Sequence, residues 1–110
     1  MVKKFDFVVL GATGLQGRIA SKDLLKSGYS VLMMGRDKRR VEHLLKEFEK
    51  TGFEYFEAQN TPDLTTKLKH SGATVVVNCV EGDWNLCILK ACINANMNCV
   101  DLDANIPMTK

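Results

Sequence analysis

An α/β fold, a doubly wound parallel sheet of about five strands in the order 3-2-1-4-5, is what this sequence predicts. Three observations point there. Short apolar runs of strand length alternate with segments of helical spacing, the runs lack the in–out alternation of a half-exposed sheet, and the connections between them are short. Strict alternation with right-handed crossovers places helices on both faces of one parallel sheet.

The first strand is expected over residues 5–10, an apolar run broken by Asp6 and ended by Gly11. Residues 31–34 form the second, ended by Gly35, and 53–58 a weaker third that carries Glu54 and Glu57. The strongest run covers 73–80 with three consecutive valines, and 99–102 is the fifth. Such runs, rich in β-branched and aromatic residues, read as strands. Between them, Leu15, Ile19, Leu24 and Leu25 form a loose helical stripe before Gly28, a C-terminal stop. Val41, Leu44, Leu45 and Phe48 fall at i, i+3, i+4 and i+7, and Ile88, Ala91, Cys92 and Ala95 repeat that spacing. Thr61-Pro62-Asp63 opens a further helix with a cap, a first-turn proline and an acid at the positive end. Gly52 and Gly72 serve as the remaining stops.

The 110 residues suit a single domain that buries roughly two thirds of its unfolded surface without staples. Fifteen Lys and Arg against 13 Asp and Glu leave a formal charge of +2, which removes the usual reason to expect nucleic-acid or membrane-surface binding. Apolar runs such as 31–34 and 75–77 fall far short of the roughly 20 residues of a membrane span, and no unbroken run exceeds four residues. Lys3 and Lys4 are followed by Phe5 and Asp6 where a signal peptide needs its apolar stretch, so a cytoplasmic location is expected. Cys79, Cys87, Cys92 and Cys99 are spaced by 8, 5 and 7 residues, which matches no zinc pattern, and no metal site is expected. They read as small buried hydrophobes, and His43 and His70 as solvated surface.

Chemistry concentrates at the first strand–helix turn. Val8-Val9-Leu10-Gly11-Ala12-Thr13-Gly14-Leu15-Gln16-Gly17 places three glycines at G-x-x-G-x-x-G. Gly11 allows the tight turn off the strand, Gly14 lets a pyrophosphate approach the backbone, and Gly17 lets the helix pack on the sheet. The N–H groups at the helix start, from Leu15, Gln16 and Gly17, bind phosphate with help from the helix dipole, and Thr13 adds a hydroxyl donor. The motif follows a strand and opens a helix inside a βαβ unit, the context a dinucleotide site requires.

The end of the second strand reads the adenosine ribose in such a fold, and an NAD-specific domain usually carries an acid there. Here the residues are Met34-Gly35-Arg36-Asp37-Lys38-Arg39-Arg40. The Arg36 guanidinium can grip a 2′-phosphate bidentately while its plane stacks on adenine, which points to NADP, with NAD possible. Asp37 either reaches a ribose hydroxyl or caps the next helix, the reading preferred here. At the end of the fourth strand, backbone groups of Asn78, Cys79 and Val80 are placed to touch the nicotinamide-side ribose. The alternative is that Asn78 satisfies loop backbone and Cys79 belongs to the core.

Four segments together resemble the N-terminal NAD(P)-binding domain of saccharopine dehydrogenase-like oxidoreductases. They are the glycine motif, Gly35-Arg36-Asp37, Val75-Val76-Val77-Asn78-Cys79, and the stretch from Leu89-Lys90-Ala91-Cys92 to Cys99-Val100-Asp101-Leu102. The resemblance implies a Rossmann-like domain joined in full-length members to a later substrate-binding and dimerisation domain. It implies hydride transfer at a carbon–nitrogen bond of an amino-acid-derived substrate, with residues 1–110 inactive alone. Glu81-Gly82-Asp83-Trp84 after Val80, and Asp103-Ala104-Asn105 after the last strand, depart from the family pattern on the substrate side.

Gly11-Ala12-Thr13-Gly14 also resembles atypical extended short-chain dehydrogenases, some of which sense redox state through NADP. Their Tyr-x-x-x-Lys pair is missing, since Met33 follows Tyr29 at that spacing and Gln59 follows Tyr55. A stand-alone NADP-binding sensor is therefore the alternative to an oxidoreductase half, and a nucleotide-site relic used for interaction is a third reading. No catalytic residue is assigned, because strand-end acids such as Asp101 and Asp103 more often cap loops.

Overall fold

The computed structural model describes residues 5–56, 61–80 and 85–101. In chain order the elements are β1 (Phe7–Leu10), α1 (Leu15–Lys26), β2 (Val31–Gly35), a 3-10 turn (Lys38–Val41), α2 (Glu42–Glu47), β3 (Thr51–Tyr55), α3 (Thr61–Ser71), β4 (Val75–Asn78), α4 (Asn85–Asn94) and β5 (Asn98–Asp101). All five strands are parallel, in the order β3-β2-β1-β4-β5, as predicted. The chain reverses direction across the sheet between β1 and β4, which leaves a crevice at their carboxyl ends.

The missing alternation in the strands has its cause in the two cores. Val8 and Leu10 of β1 pack with Leu32 and Met34 of β2, Val76 of β4, Leu64 and Leu68 of α3, and Ile88, Ala91 and Cys92 of α4. Val9, Val31, Met33 and Val77 face the other way and pack with Leu25 of α1, Val41, and Leu44 of α2. Each central strand is thus covered on both sides. The register carries this across the sheet: Phe53, Met33, Val9, Val77 and Val100 form one lateral row. Met33 and Val9 are fully buried and Val77 is 7% exposed, whereas Val100 on the edge strand is 47% exposed. Burying a side chain of this size contributes about 1.5–3 kcal/mol, so the centre of the row holds the sheet together more than its edge.

Several boundaries differ from those expected. Residue 5 precedes β1, and Asp6 clamps β1 to β2: its carboxylate accepts from the Ser30 N–H at 2.9 Å and the Ser30 hydroxyl at 3.1 Å. Gly52 does not stop a helix; it lies inside β3, opposite Leu32, with the Phe5 ring 3.0 Å from where a Cβ would stand. β3 accordingly begins at Thr51, two residues before the predicted start. The stripe from Val41 to Phe48 is only partly helical, with Val41 closing the 3-10 turn and Phe48 extended at the C-cap. Leu15 and Ile19 are exposed at 67% and 55%, because α1 turns Gly17, Ser21 and Leu25 to the sheet instead. Gly28 and Gly72 stop α1 and α3 at positive φ as expected, and Asn96 (φ 61°) follows α4 in the same left-handed region. Thr61 is the first helical residue of α3 rather than its cap. Expectations for Glu57, Ala58, Gln59, Glu81-Gly82-Asp83-Trp84, Leu102 and Asp103-Ala104-Asn105 lie outside the described residues.

Candidate dinucleotide site

The glycine turn is built by backbone packing against backbone. The N–H groups of Gly11 and Ala12 both donate to the Met34 carbonyl, at 2.9 and 3.0 Å, and Cys79 N–H donates to the Leu10 carbonyl at 2.9 Å. The end of β1 is thereby held between the ends of β2 and β4. Gly11 has φ +76°, and a Cβ there would lie 2.9 Å from the Cys79 carbonyl carbon and 3.0 Å from the Val80 nitrogen. A Cβ on Gly17 would lie 2.1 Å from the Gly11 oxygen. Both positions accept only glycine, for reasons internal to the protein.

Gly14 differs. Its φ of −80° and ψ of 174° suit any residue, and a Cβ would meet nothing nearer than the Gly11 oxygen at 3.5 Å. Nothing in the protein requires glycine there, and the exposed backbone keeps its approach open. Gly14 is also the N-cap of α1, so no side chain caps the helix, and the first turn carries no acid. No backbone acceptor among the described residues takes the N–H groups of Leu15, Gln16 or Gly17. A capless N-terminus with aligned free donors and the positive end of the dipole fits an anion.

Arg18, to which the sequence reading gave no role, adds to this. Its backbone N–H donates to the Gly14 carbonyl at 3.0 Å, and its side-chain Nε reaches the same oxygen at 3.4 Å. A cation in the first turn is unfavourable against the helix dipole and becomes favourable when an anion arrives. Its spacing from Gly14 was the available signal, since a helical residue four places on folds back over the turn.

At the end of β2, Asp37 is the N-cap of the 3-10 turn and accepts from the Arg39 N–H at 3.2 Å. The Arg39 side chain holds the same carboxylate through Nε at 3.1 Å, and Arg40 stands 3.8 Å away. The Arg39 hydrogen bond keeps the Asp37 carboxyl below its ordinary pKa. Asp37 is therefore the cap, engaged with two of the four nearby cations. Arg36 is exposed, and its side chain has no bond to a described residue.

Asn78 is 2% exposed, and its Oδ1 accepts from the Val80 N–H at 3.1 Å, turning the chain as it leaves β4. The side chain thus satisfies loop backbone. Cys79 packs against the α1–α2 core while its carbonyl abuts Gly11. The structure therefore brings Asn78, Cys79 and Val80 to the glycine turn through their backbone. Cys92 is buried, and the hydrogen bond its thiol makes to Cys99, together with burial, pushes that thiol up and keeps it protonated. Among the described residues no cysteine is in a disulfide and no three His, Cys, Asp or Glu stand close enough to hold a metal ion. His43 and His70 are exposed. An open groove between α3 and α4 is lined by Pro62, Thr65, Lys90 and Asn94, none of which belongs to the glycine turn.

The family model described as "Saccharopine dehydrogenase NADP binding domain" matches residues 7–109. The chain belongs to that family. Solved structures share the fold of this saccharopine dehydrogenase NADP-binding domain. A UDP-glucose 4-epimerase from Stenotrophomonas maltophila with bound NAD superposes with a TM-score of 0.78 at 15% identity, covering 88% of this chain and 36% of that one. A short-chain dehydrogenase/reductase from Veillonella parvula in complex with NADP gives 0.75 at 21%, over 94% and 50%. Vestitone reductase from alfalfa gives 0.72 at 26%, over 88% and 35%. The chain thus spans between about a third and a half of these proteins' lengths. No protein of curated function matches it by sequence. A nicotinamide dinucleotide is the cofactor class that this family and these neighbours carry. No described helix is long and apolar enough to cross a membrane.

Proposed function

We propose that this domain binds NADP, in preference to NAD, as the cofactor half of an oxidoreductase that moves hydride at a carbon–nitrogen bond of an amino-acid-derived substrate. The observation that carries the binding half is the start of α1, where three free N–H groups surround a glycine that the protein itself does not need. Gly11, Gly14 and Gly17, with Leu15 and Gln16, hold the pyrophosphate against the helix start, and Arg18 offsets its charge. Arg36 takes the 2′-phosphate, and the Asn78–Val80 backbone borders the nicotinamide-side ribose. The cofactor, when bound, supplies or accepts hydride. What this chain contributes is the binding and orientation of that group at the crevice between β1 and β4. Substrate enclosure and any dimer contact belong to a further domain, and the cytoplasm is the expected compartment.

Titration of the purified chain with NADPH and NADH, followed by cofactor fluorescence, tests the binding claim. A folded Gly14→Val protein should bind neither, because a branched side chain fills the approach to the helix start. Undiminished binding in that variant would remove the pyrophosphate assignment. The isolated chain should show no turnover, since hydride transfer needs a second reactant held in place. Steady NADPH oxidation with any amino acid and oxo-acid pair would contradict the division of labour.

A further inference from the structure

Gly35 has a purpose that its backbone does not explain. It ends β2 opposite Tyr55, and its conformation is not one reserved to glycine. A Cβ there would lie 2.7 Å from Thr13 Cγ2 and 2.8 Å from Thr13 Oγ1. The space a side chain would occupy is taken by the threonine of the glycine turn. Thr13 is a β-branched residue with few rotamers, so an added methyl group would push it out of this seat rather than be met by a small rotation. The two hydrogen bonds that the Gly11 and Ala12 N–H groups donate to the Met34 carbonyl fix the turn against β2 and bring Thr13 there. The Thr13 hydroxyl has no partner among the described residues, and the side chain is only partly buried.

The motif position of Thr13 assigns it to the pyrophosphate set, whereas its side chain sits against the end of β2. We infer that Thr13, seated on Gly35, is a specificity-determining residue whose hydroxyl donates to the cofactor's 2′-phosphate beside Arg36. The inference rests on the NADP reading above and deepens it. Arg36 directly follows Gly35, so the glycine that seats the hydroxyl also leads the chain into the cation. The Asp37 carboxylate, which would repel the phosphate, is held by its own turn and by Arg39. A rigid hydroxyl and a mobile guanidinium divide the work: the first fixes position and the second supplies charge.

The test is the ratio of NADPH to NADH affinity, measured by fluorescence titration in the wild type and in Thr13→Val, Thr13→Ser and Gly35→Ala. Valine keeps the shape of threonine and removes the donor, so the ratio should fall roughly tenfold, as expected for a hydrogen bond to a charged group. Serine should keep most of the ratio. Gly35→Ala should lower it as valine does, because the new methyl displaces Thr13, and circular dichroism verifies that this variant folds. Equal loss of both cofactors in Thr13→Val would return the hydroxyl to the pyrophosphate and overturn the inference. A wild-type ratio near one would overturn it while leaving dinucleotide binding intact. Failure of the wild type to bind either cofactor would overturn the parent reading and this one with it.

Discussion

At the turn from β1 into α1, Gly11 and Gly17 press backbone against backbone, with Cβ positions 2.9 and 2.1 Å from neighbouring main-chain atoms. At the turn leaving β2, Arg36, Arg39 and Arg40 extend toward solvent, and Arg39 and Arg40 hold Asp37 through side chains. The two turns are joined at the Met34 carbonyl and work by different physics. On the proposed reading the first binds through backbone N–H groups, which only proline would delete, and it fails when a side chain intrudes. The second binds through side chains, of which Arg36 is exposed and removable. On that reading, intrusion at Gly11 or Gly17 costs stability and binding together, intrusion at Gly14 costs binding alone, and the choice between dinucleotides can change one side chain at a time.

The largest effect should come from Gly17→Ala. No flexible atom can yield to the added Cβ, because the obstructing groups are the Gly11 carbonyl and the Ala12 Cα. A loss of about 3 kcal/mol or more is expected, a large share of a small domain's total. Thermal denaturation should show a drop on the order of 12 °C or more. Gly14→Ala, by contrast, should melt within about 2 °C of the wild type, since its Cβ meets only ordinary contact. Similar melting points for the two variants would dissolve the distinction between packing glycines and the ligand-facing one.

Arg36→Ala comes next and should leave the melting temperature in place. Charge-assisted contacts of this kind contribute on the order of 1.5–3 kcal/mol, so the NADPH preference should fall roughly ten- to a hundredfold. The wild-type preference should itself shrink as salt rises from low to moderate concentration, because Arg36 is exposed and screened. A preference that survives Arg36→Ala would move the phosphate site to Lys38, Arg39 or Arg40.

The smallest effect concerns Asp37 and pH. Its folded pKa is lowered, chiefly by the Arg39 side chain. A lowered carboxyl contributes stability that is fully present above the unfolded pKa and disappears as pH falls through the folded one. The difference in melting temperature between wild type and Asp37→Asn should therefore be small and constant between about pH 5 and 8, and fade as pH falls below the ordinary carboxylate range. A difference that grows toward neutral pH would mean that Asp37 answers to another titrating group.

How far the amino-acid sequence reaches is seen by following particular residues. Periodicity alone located five strands and four helices in the right order, because burial on both faces leaves runs such as Val75-Val76-Val77 with no polar interruption. It misjudged Gly52, since a glycine beside a short helix looks like a stop until Phe5 is known to lie over it from 47 positions earlier. It also assigned Leu15 and Ile19 to a buried stripe. Which face of α1 meets the sheet is set by the close approach at Gly17, and that approach depends on where Gly11 sits.

The candidate site divides along the same line. The strand–glycine–helix order, the arginine that directly follows β2 and the cap chemistry of Asp37 are local features, legible because they depend on residues within a few positions. The Asp6–Ser30 clamp, the openness around Gly14 and the seating of Thr13 on Gly35 join residues from different elements or depend on what surrounds them. What the sequence determined by itself was the order of elements and the presence of a phosphate-binding turn, both products of neighbouring residues. Tertiary structure decided which glycine is left open and that Thr13 sits against Gly35 at the end of β2. Those answers depend on distances between chain segments that only the assembled sheet sets.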